Sequence, residues 1–300
     1  MAALDYLKMY KLAQTAMDGL IPILRSNAVL PKLIKKIPNN TTVPIQGAIT
    51  SDNVTARSAG SAMTAVANPA ETAASFRIAY DAEYVMPLDV LNKINMKPFD
   101  YLMFNKDKIV AALADKLDEA VWALYSSVTQ SAGTAGATPA ITALASAKKE
   151  LRDAKVNFSD PTKLHAVVGP EEEEAWLSAA SWNTQGPISQ ASIMEGSLGR
   201  RYGFNIWVDQ NRVTSGTTAY NLCFHEDFAG ITFTDTYDVH RSVAQVSVTD
   251  PVSGMTIFVQ DWPMNEATYG LGQKYRFVIP YYTAVLDVTR ACQLLGGVVA

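Results

Sequence analysis

"EGSLGRRYGFNIWVDQN", residues 195–211, sets Gly196, Gly199 and Gly203 around the adjacent Arg200 and Arg201 and follows them at once with an apolar run. Glycines beside basic residues can cradle a phosphate, but only where they open a helix N-terminus so that backbone amides converge on the anion. The run after Gly203 does not have a helical period. Phe204, Ile206 and Val208 alternate with Asn205, Trp207 and Asp209, which is the two-residue period of a strand. The glycines are therefore expected to permit tight backbone geometry ahead of a strand. Arg200 and Arg201 then become candidates for ion pairs within the domain or between chains, and not for nucleotide binding.

Working outward, 300 residues with 48% hydrophobic content can bury a large core, in one large domain or two linked ones. Acids outnumber bases, 29 to 25, so the chain has no global basic footprint for holding nucleic acid through its phosphates. Cys223 and Cys292 form no C-x-x-C pair and match no zinc module; two buried small hydrophobes in a reducing compartment are expected. The N-terminus interrupts its apolar residues with Asp5, Lys8 and Lys11 and lacks a signal-peptide core. No window reaches the roughly 18 apolar residues of a membrane span, so synthesis in the cytoplasm and no membrane partner are expected.

Residues 1–40 carry six bases against two acids, Lys32, Lys35 and Lys36 among them. A short amphipathic helix is predicted between Tyr6 and Ile21, and then an extended arm, because Pro31, Pro38 and Pro44 punctuate the following stretch. In residues 41–86, Ala, Ser and Thr make up 21 of 46 positions, too little apolar bulk for a core. That segment ends in the alternating strand "SFRIAYDAEYVM" and is expected to dock on another copy of the chain. In "NKDKIVAALADKLDEAVWALYSSV", residues 105–128, Ile109, Leu113, Leu117, Val121, Leu124 and Val128 form one stripe, which predicts a long helix with its Asp and Lys residues on a solvated face.

A second helix is predicted from Thr138 and Pro139, then the strand "LHAVVG", then a helix opening "GPEEEE", whose Pro170 suits the first turn and whose glutamates suit the positive end of the dipole. Beyond residue 204 the chain reads as strands, including a hairpin turning at Asp250, Pro251, Ser253 and Gly254 and a strand edged or bent at Pro280. Helices early and strands late predict an α+β fold.

No P-loop, nucleophile elbow or H-E-x-x-H motif is present, and "GLGQKY" at 270–275 has Tyr275 where a dinucleotide fingerprint needs its third glycine. His225, Glu226, Asp227, Asp235, Asp238 and His240 are the densest titratable cluster, but the spacing is no known ligand pattern, so structural or surface roles are expected. His165, within an apolar strand, is expected to be a satisfied core or half-buried side chain. No catalytic, cofactor-binding or metal residue is assigned.

The order of these pieces, together with "GPEEEEAWL", "G-x-L-G-R-x-x-G-F" at residues 196–204, "FHEDFAG" and a closing "ACQLLGG", resembles the major capsid proteins of tailed bacteriophages, the Hong Kong 97-type fold, and especially the coat proteins of short-tailed phages. The resemblance implies an arm at 1–40, an extended loop at 41–86, a peripheral domain with its spine helix at 87–135, and an axial domain at 136–225. It further implies the peripheral domain's long β hairpin at 226–275 and a C-terminal strand region of the axial domain at 276–300.

It implies a non-enzymatic virion subunit made in the bacterial host cytoplasm, which assembles with itself as hexamers and pentamers into an icosahedral head around double-stranded DNA. Portal, scaffolding and decoration proteins are the implied partners, with DNA contact non-specific. Arg57, Arg77, Arg200 and Arg201 become candidate subunit contacts; Lys32, Lys35 and Lys36 become candidate arm residues facing acidic neighbours or DNA. Residues 41–86 contain no lysine, which argues against loop-lysine cross-linking. The chain opens on the arm, which implies either a processed form or a separate scaffolding protein. An encapsulin-type compartment shell is the alternative reading, and a soluble metal-dependent enzyme using His225, Glu226 and Asp238 a lower one.

Overall fold

A computed structural model describes residues 10–11, 13–16, 18–19, 29–37, 42–46, 71–75, 78–87, 98–137, 139–178, 198–233, 244–250, 255–266 and 270–297. Residues 10–11, 13–16 and 18–19 are helical, within the predicted amphipathic segment. The arm contains a short helix, α1 (Leu30–Leu33), before the two-residue strand β1 (Lys35–Lys36). A wholly extended arm was the expectation. Pro31 falls in the first helical turn, where its missing N–H is not needed, so the proline that suggested extension starts a helix instead.

Strands β2 (Thr42–Gln46) and β3 (Glu71–Ser75) pair antiparallel as a separate two-stranded ladder, and β4 (Ile78–Pro87) follows. Helix α2 (Pro98–Trp122) spans 25 residues, about 38 Å at the usual rise. It begins and ends earlier than the 105–128 stripe predicted. Pro98 provides a start, and beyond Trp122 the chain tightens into a 3₁₀ helix, Ala123–Ser127. The Gln293 side chain donates to the carbonyls of Tyr125 and Val128, at 2.8 and 3.0 Å, so groups at this helix end find partners outside it.

Next come β5 (Ser131–Gly133), α3 (Ala143–Asp153), β6 (Leu164–Val168) and α4 (Pro170–Ser178). Leu144, Ala147 and Leu151 of α3 recur at helical spacing and are buried together. Then follow β7 (Arg200–Arg201), β8 (Phe204–Val208), β9 (Val213–Ser215), β10 (Thr218–His225) and β11 (Ala229–Phe233), the last two separated by a 3₁₀ turn at Glu226–Phe228. Strands β12 (Ala244–Thr249) and β13 (Thr256–Glu266) form the predicted hairpin, closed by Asp250 N–H donating to Met255 O at 2.9 Å. The chain finishes with β14 (Gly270–Val285) and β15 (Ala291–Gly297).

Two large sheets result. One runs β1-β11-β14-β13-β12, with β4 also on β14; the other runs β5-β15-β10-β6-β8-β7, with β9 also on β10. The register of β4 against β14 shifts between Ile279 and Pro280, the irregularity expected of a strand proline.

The second sheet is covered on both sides. Val167, Leu222, Phe224 and Ala291 join the core of α1, α2 and the first sheet, whereas Ala166, Val168, Cys223, Cys292 and Leu294 join the core of α3 and α4. Alternate residues of one strand thus serve two cores, which explains why β6 is apolar throughout except for His165. Cys223 and Cys292 are register partners on β10 and β15, and both are buried free thiols.

Candidate functional site

Within the stretch 195–211, residues 195–197 lie outside the described residues, and β7 with β8 forms a hairpin. Tyr202 and Gly203 both have positive φ, 50° and 95°, and β7 pairs antiparallel with β8 through Arg201 and Phe204. Two consecutive residues with positive φ form the primed turn that suits strand twist, and glycine adopts that conformation without a Cβ penalty. Phe204 and Ile206 are buried, as the alternation predicts, and Trp207 stays 37% exposed. Asp209, expected on the polar face, is 2% exposed. The chain has left β8 there and turns inward.

Around this hairpin the N-terminal segment 29–37, the long helix α2 and the second sheet converge. Leu30 N–H donates to Asp118 Oδ1 at 3.1 Å, and Lys32 Nζ stands 5.1 Å from the centre of the Trp207 ring. Trp207 Nε1 in turn donates to His165 Nδ1 at 3.2 Å. Burial is the main reason that the His165 imidazolium is disfavoured, with its pKa lowered to about 4 despite the pull of Glu226. The ring is therefore a neutral acceptor, the satisfied histidine expected from its strand.

Further along the arm, β1 lies parallel to β11, and Ile37 N–H donates to Ile231 O at 2.9 Å. Lys35 Nζ meets Asp227 Oδ1 at 3.0 Å, and Arg290 Nη1 meets Asp227 Oδ2 at 3.0 Å. Burial raises the Asp227 carboxyl, but Lys35, His225 and Arg290 outweigh it and hold the group below its ordinary range. Lys36 is exposed. Thus two of the three arm lysines meet groups of their own chain.

Beneath the arm lie two acids. Asp118 is 0% exposed, although the sequence pattern put the α2 acids on a solvated face. Its carboxyl is hydrogen-bonded to Asp209 and accepts from Asn211 Nδ2 at 3.2 Å. Asp209 Oδ2 accepts from Trp122 Nε1 at 2.8 Å, and Oδ1 from Asn211 N–H at 2.9 Å. Burial, then the bond to Asp209 and its charge, raise Asp118 to about 8, against the opposing donors Asn211 and Leu30. Lys32 is shifted down, chiefly by burial, against the pull of both acids.

A second buried cluster lies at the start of α4. The four glutamates of "GPEEEE" were read as a dipole-facing charge run, but Glu172 is buried and bridges to buried Arg212, which also reaches Glu171. Asn221 Nδ2 donates to Glu172 Oε1 at 3.1 Å, while Asn221 Oδ1 accepts the Gly169 N–H at 3.0 Å. A Cβ at Gly169 would overlap the Arg212 side chain, and one at Gly296 would overlap Glu172 Oε1. Both glycines leave space for the pair.

Arg200 is exposed and Arg201 partly so, beside an open cleft of about 580 Å³ lined by Glu173, Leu198, Ile206 and Trp207. Arg57, Arg77, Asp235, Asp238 and His240 lie outside the described residues. Of the rest of the predicted cluster, Glu226 pairs with Lys163 and His225 Nδ1 accepts the Asp227 N–H at 3.3 Å. Among the described residues no group of His, Cys, Asp and Glu is arranged to hold a metal, and no helix is long and apolar enough to cross a membrane. Sequence reasoning missed Asp118, Asp209, Glu172 and Arg212. For Asp118 the signal was present, because it stands one turn from both Ala114 and Trp122, on the buried side of the helix.

The architecture defined above is a mixed helix-and-sheet shell fold, and the comparisons agree. The family described as phage capsid protein matches residues 93–288, so the chain belongs to it. A chain from Mycobacterium phage Che8 superposes with a TM-score of 0.59 at 17% identity, covering 89% of this chain and 91% of that one. The capsid of a native GTA particle gives 0.56 at 12% identity, covering 91% of each. A holo-SrpI encapsulin complex from Synechococcus elongatus gives 0.54 at 7% identity, covering 88% of this chain and 85% of that one. No curated protein matches the chain in sequence. The chain is thus a phage capsid protein.

Proposed function

We propose that the chain has the Hong Kong 97-type layout, with the arm, extended loop, spine helix and axial domain at the boundaries given above, and that it forms hexamers and pentamers enclosing double-stranded DNA. The single observation that carries this is the family match over 93–288, a run that holds α2, α3, α4 and the β12–β13 hairpin. The β2–β3 ladder supports the loop assignment, since it is a two-stranded element outside both large sheets. An isolated hairpin of this kind is at best marginally stable until it packs on something else, and a neighbouring subunit would supply that surface. Arg57, Arg77, Arg200 and Arg201 are proposed subunit contacts.

For the arm, the intrachain partners of Lys32 and Lys35 favour a docking role, and exposed Lys36 is the residue proposed to face DNA or an acidic neighbour. Portal, scaffolding and decoration proteins are the proposed partners. The encapsulin likeness favours one second reading, a cargo-filled compartment. Electron microscopy of particles made with the neighbouring genes tests both readings. DNA-filled icosahedral heads are expected; persistent monomers under every assembly condition would overturn shell assembly, and particles filled with an enzyme would favour the compartment.

A further inference from the structure

The Asp118–Asp209 pair is placed where three separate parts of the chain meet. Asp118 belongs to α2, Asp209 to the turn after β8, and the Leu30 N–H that Asp118 accepts belongs to the arm. Both carboxyls are buried and lie side by side, with Asn211 donating to each, its side chain to Asp118 and its backbone N–H to Asp209, and burial with the neighbouring acid favours a proton on Asp118. Like charges at that separation cannot both ionise without a large penalty.

The charged groups around the pair can be counted. Lys32 approaches from the arm, and its charge acts on both acids. Trp122 and Asn211 contribute neutral donors. Arg212, next along the turn, is committed to Glu171 and Glu172. On α2, Lys116 and Glu119 pair with each other on an exposed flank, and Asp115 is half-buried one turn earlier. With one shared proton, Lys32, Asp209 and Asp118 sum to zero charge. Without it they sum to minus one, with both acids buried and Lys32 at the exposed rim, and water must enter to solvate the excess. Of the elements that cover the pair, the four-residue α1 is far smaller than the 25-residue α2. The arm is therefore the part that yields.

We propose that Asp118 and Asp209 form a proton-held latch: while they share one proton the arm segment 29–37 stays docked on the spine helix, and when that proton is lost the segment loosens. The linkage sign follows from where each state ionises. Docked Asp118 holds its proton up to about pH 8, whereas a hydrated aspartate ionises near ~4. The docked state binds the proton more tightly, so docking is strongest below ~4 and weakens as pH rises through about 8.

Amide hydrogen exchange of residues 29–37 in the dispersed full-length subunit tests this without reference to shell assembly. After correction for intrinsic exchange, opening should rise about tenfold per pH unit from roughly pH 5 to 8 and then level off. Asp118→Asn, which keeps a donor toward Asp209 and an acceptor for Leu30, should flatten that profile. Opening that is independent of pH in the natural protein, or an unchanged slope in D118N, would overturn the latch. Should D118N fail to fold, Asp209→Asn takes its place: without the neighbouring charge the levelling-off must move to lower pH, and an unmoved plateau overturns the proposal. If neither variant folds, infrared spectroscopy of the natural protein decides. A protonated-carboxyl band present at pH 7 and absent by roughly pH 9.5 supports the latch, and its absence at pH 7 overturns it.

Discussion

Glu172 with Arg212 and Asp118 with Asp209 are both buried polar pairs, and both join segments distant in the chain. They differ in what neutralises them. In the first pair opposite charges cancel, Asn221 supplies a further hydrogen bond, and Gly169 and Gly296 leave the space. In the second, two like groups are reconciled by a proton and a nearby lysine. The first pair lies between α4 and the second sheet, where a fixed geometry serves. The second closes the arm, a joint whose strength follows the solution. A buried ion pair sets position, whereas a buried acid pair also responds to pH.

The sharpest way to break this comparison is Arg212→Ala, which leaves Glu172 buried without its cation. A loss of about 3–5 kcal/mol in chemical denaturation of the dispersed subunit is expected; a loss under ~1 would mean that Glu172 finds water and the pair is not structural. Gly169→Ala tests the same site by volume alone. Its Cβ must displace the Arg212 side chain, and a loss of about 1–3 kcal/mol is expected from the same measurement.

The acid pair predicts a dependence on pH. Relative to natural protein, Asp118→Asn should gain roughly 1.4 kcal/mol per pH unit between ~4 and 8, because unfolding of the natural protein releases a proton across that window and unfolding of the variant does not. Parallel stability profiles for the two proteins would sink the idea. The smallest effect belongs to Lys35→Ala. Its side chain is 55% exposed and Asp227 keeps Arg290, so a loss below ~1 kcal/mol is expected, shrinking with added salt.

Much of the fold was legible because it rests on local period. Alternation in Phe204–Val208, the Pro-Gly turn between β12 and β13, and the Leu113, Leu117 and Val121 stripe each declare an element from neighbours in sequence. The opening glycines were read correctly as turn formers, although a tyrosine, Tyr202, shares the turn with Gly203. The polar joints were not legible. Asp118 carried a sign of burial in its place one turn from Ala114 and Trp122, but none of its partners, while Asp209 looks like the end of an alternating strand and Glu172 like one of four glutamates. Each is buried because a group 40 to 93 residues away arrives opposite it, and that is a property of packing, not of period.

What the sequence determined by itself, then, is the set of elements and their order, since hydrophobic periodicity and turn chemistry act over a few residues, and, through the resemblance of its motifs, the capsid class. Which face of the second sheet receives each residue, where the arm lands, and which acids keep or lose their protons were decided only by tertiary structure. Burial and charge pairing depend on distances through space, and only the folded chain establishes them.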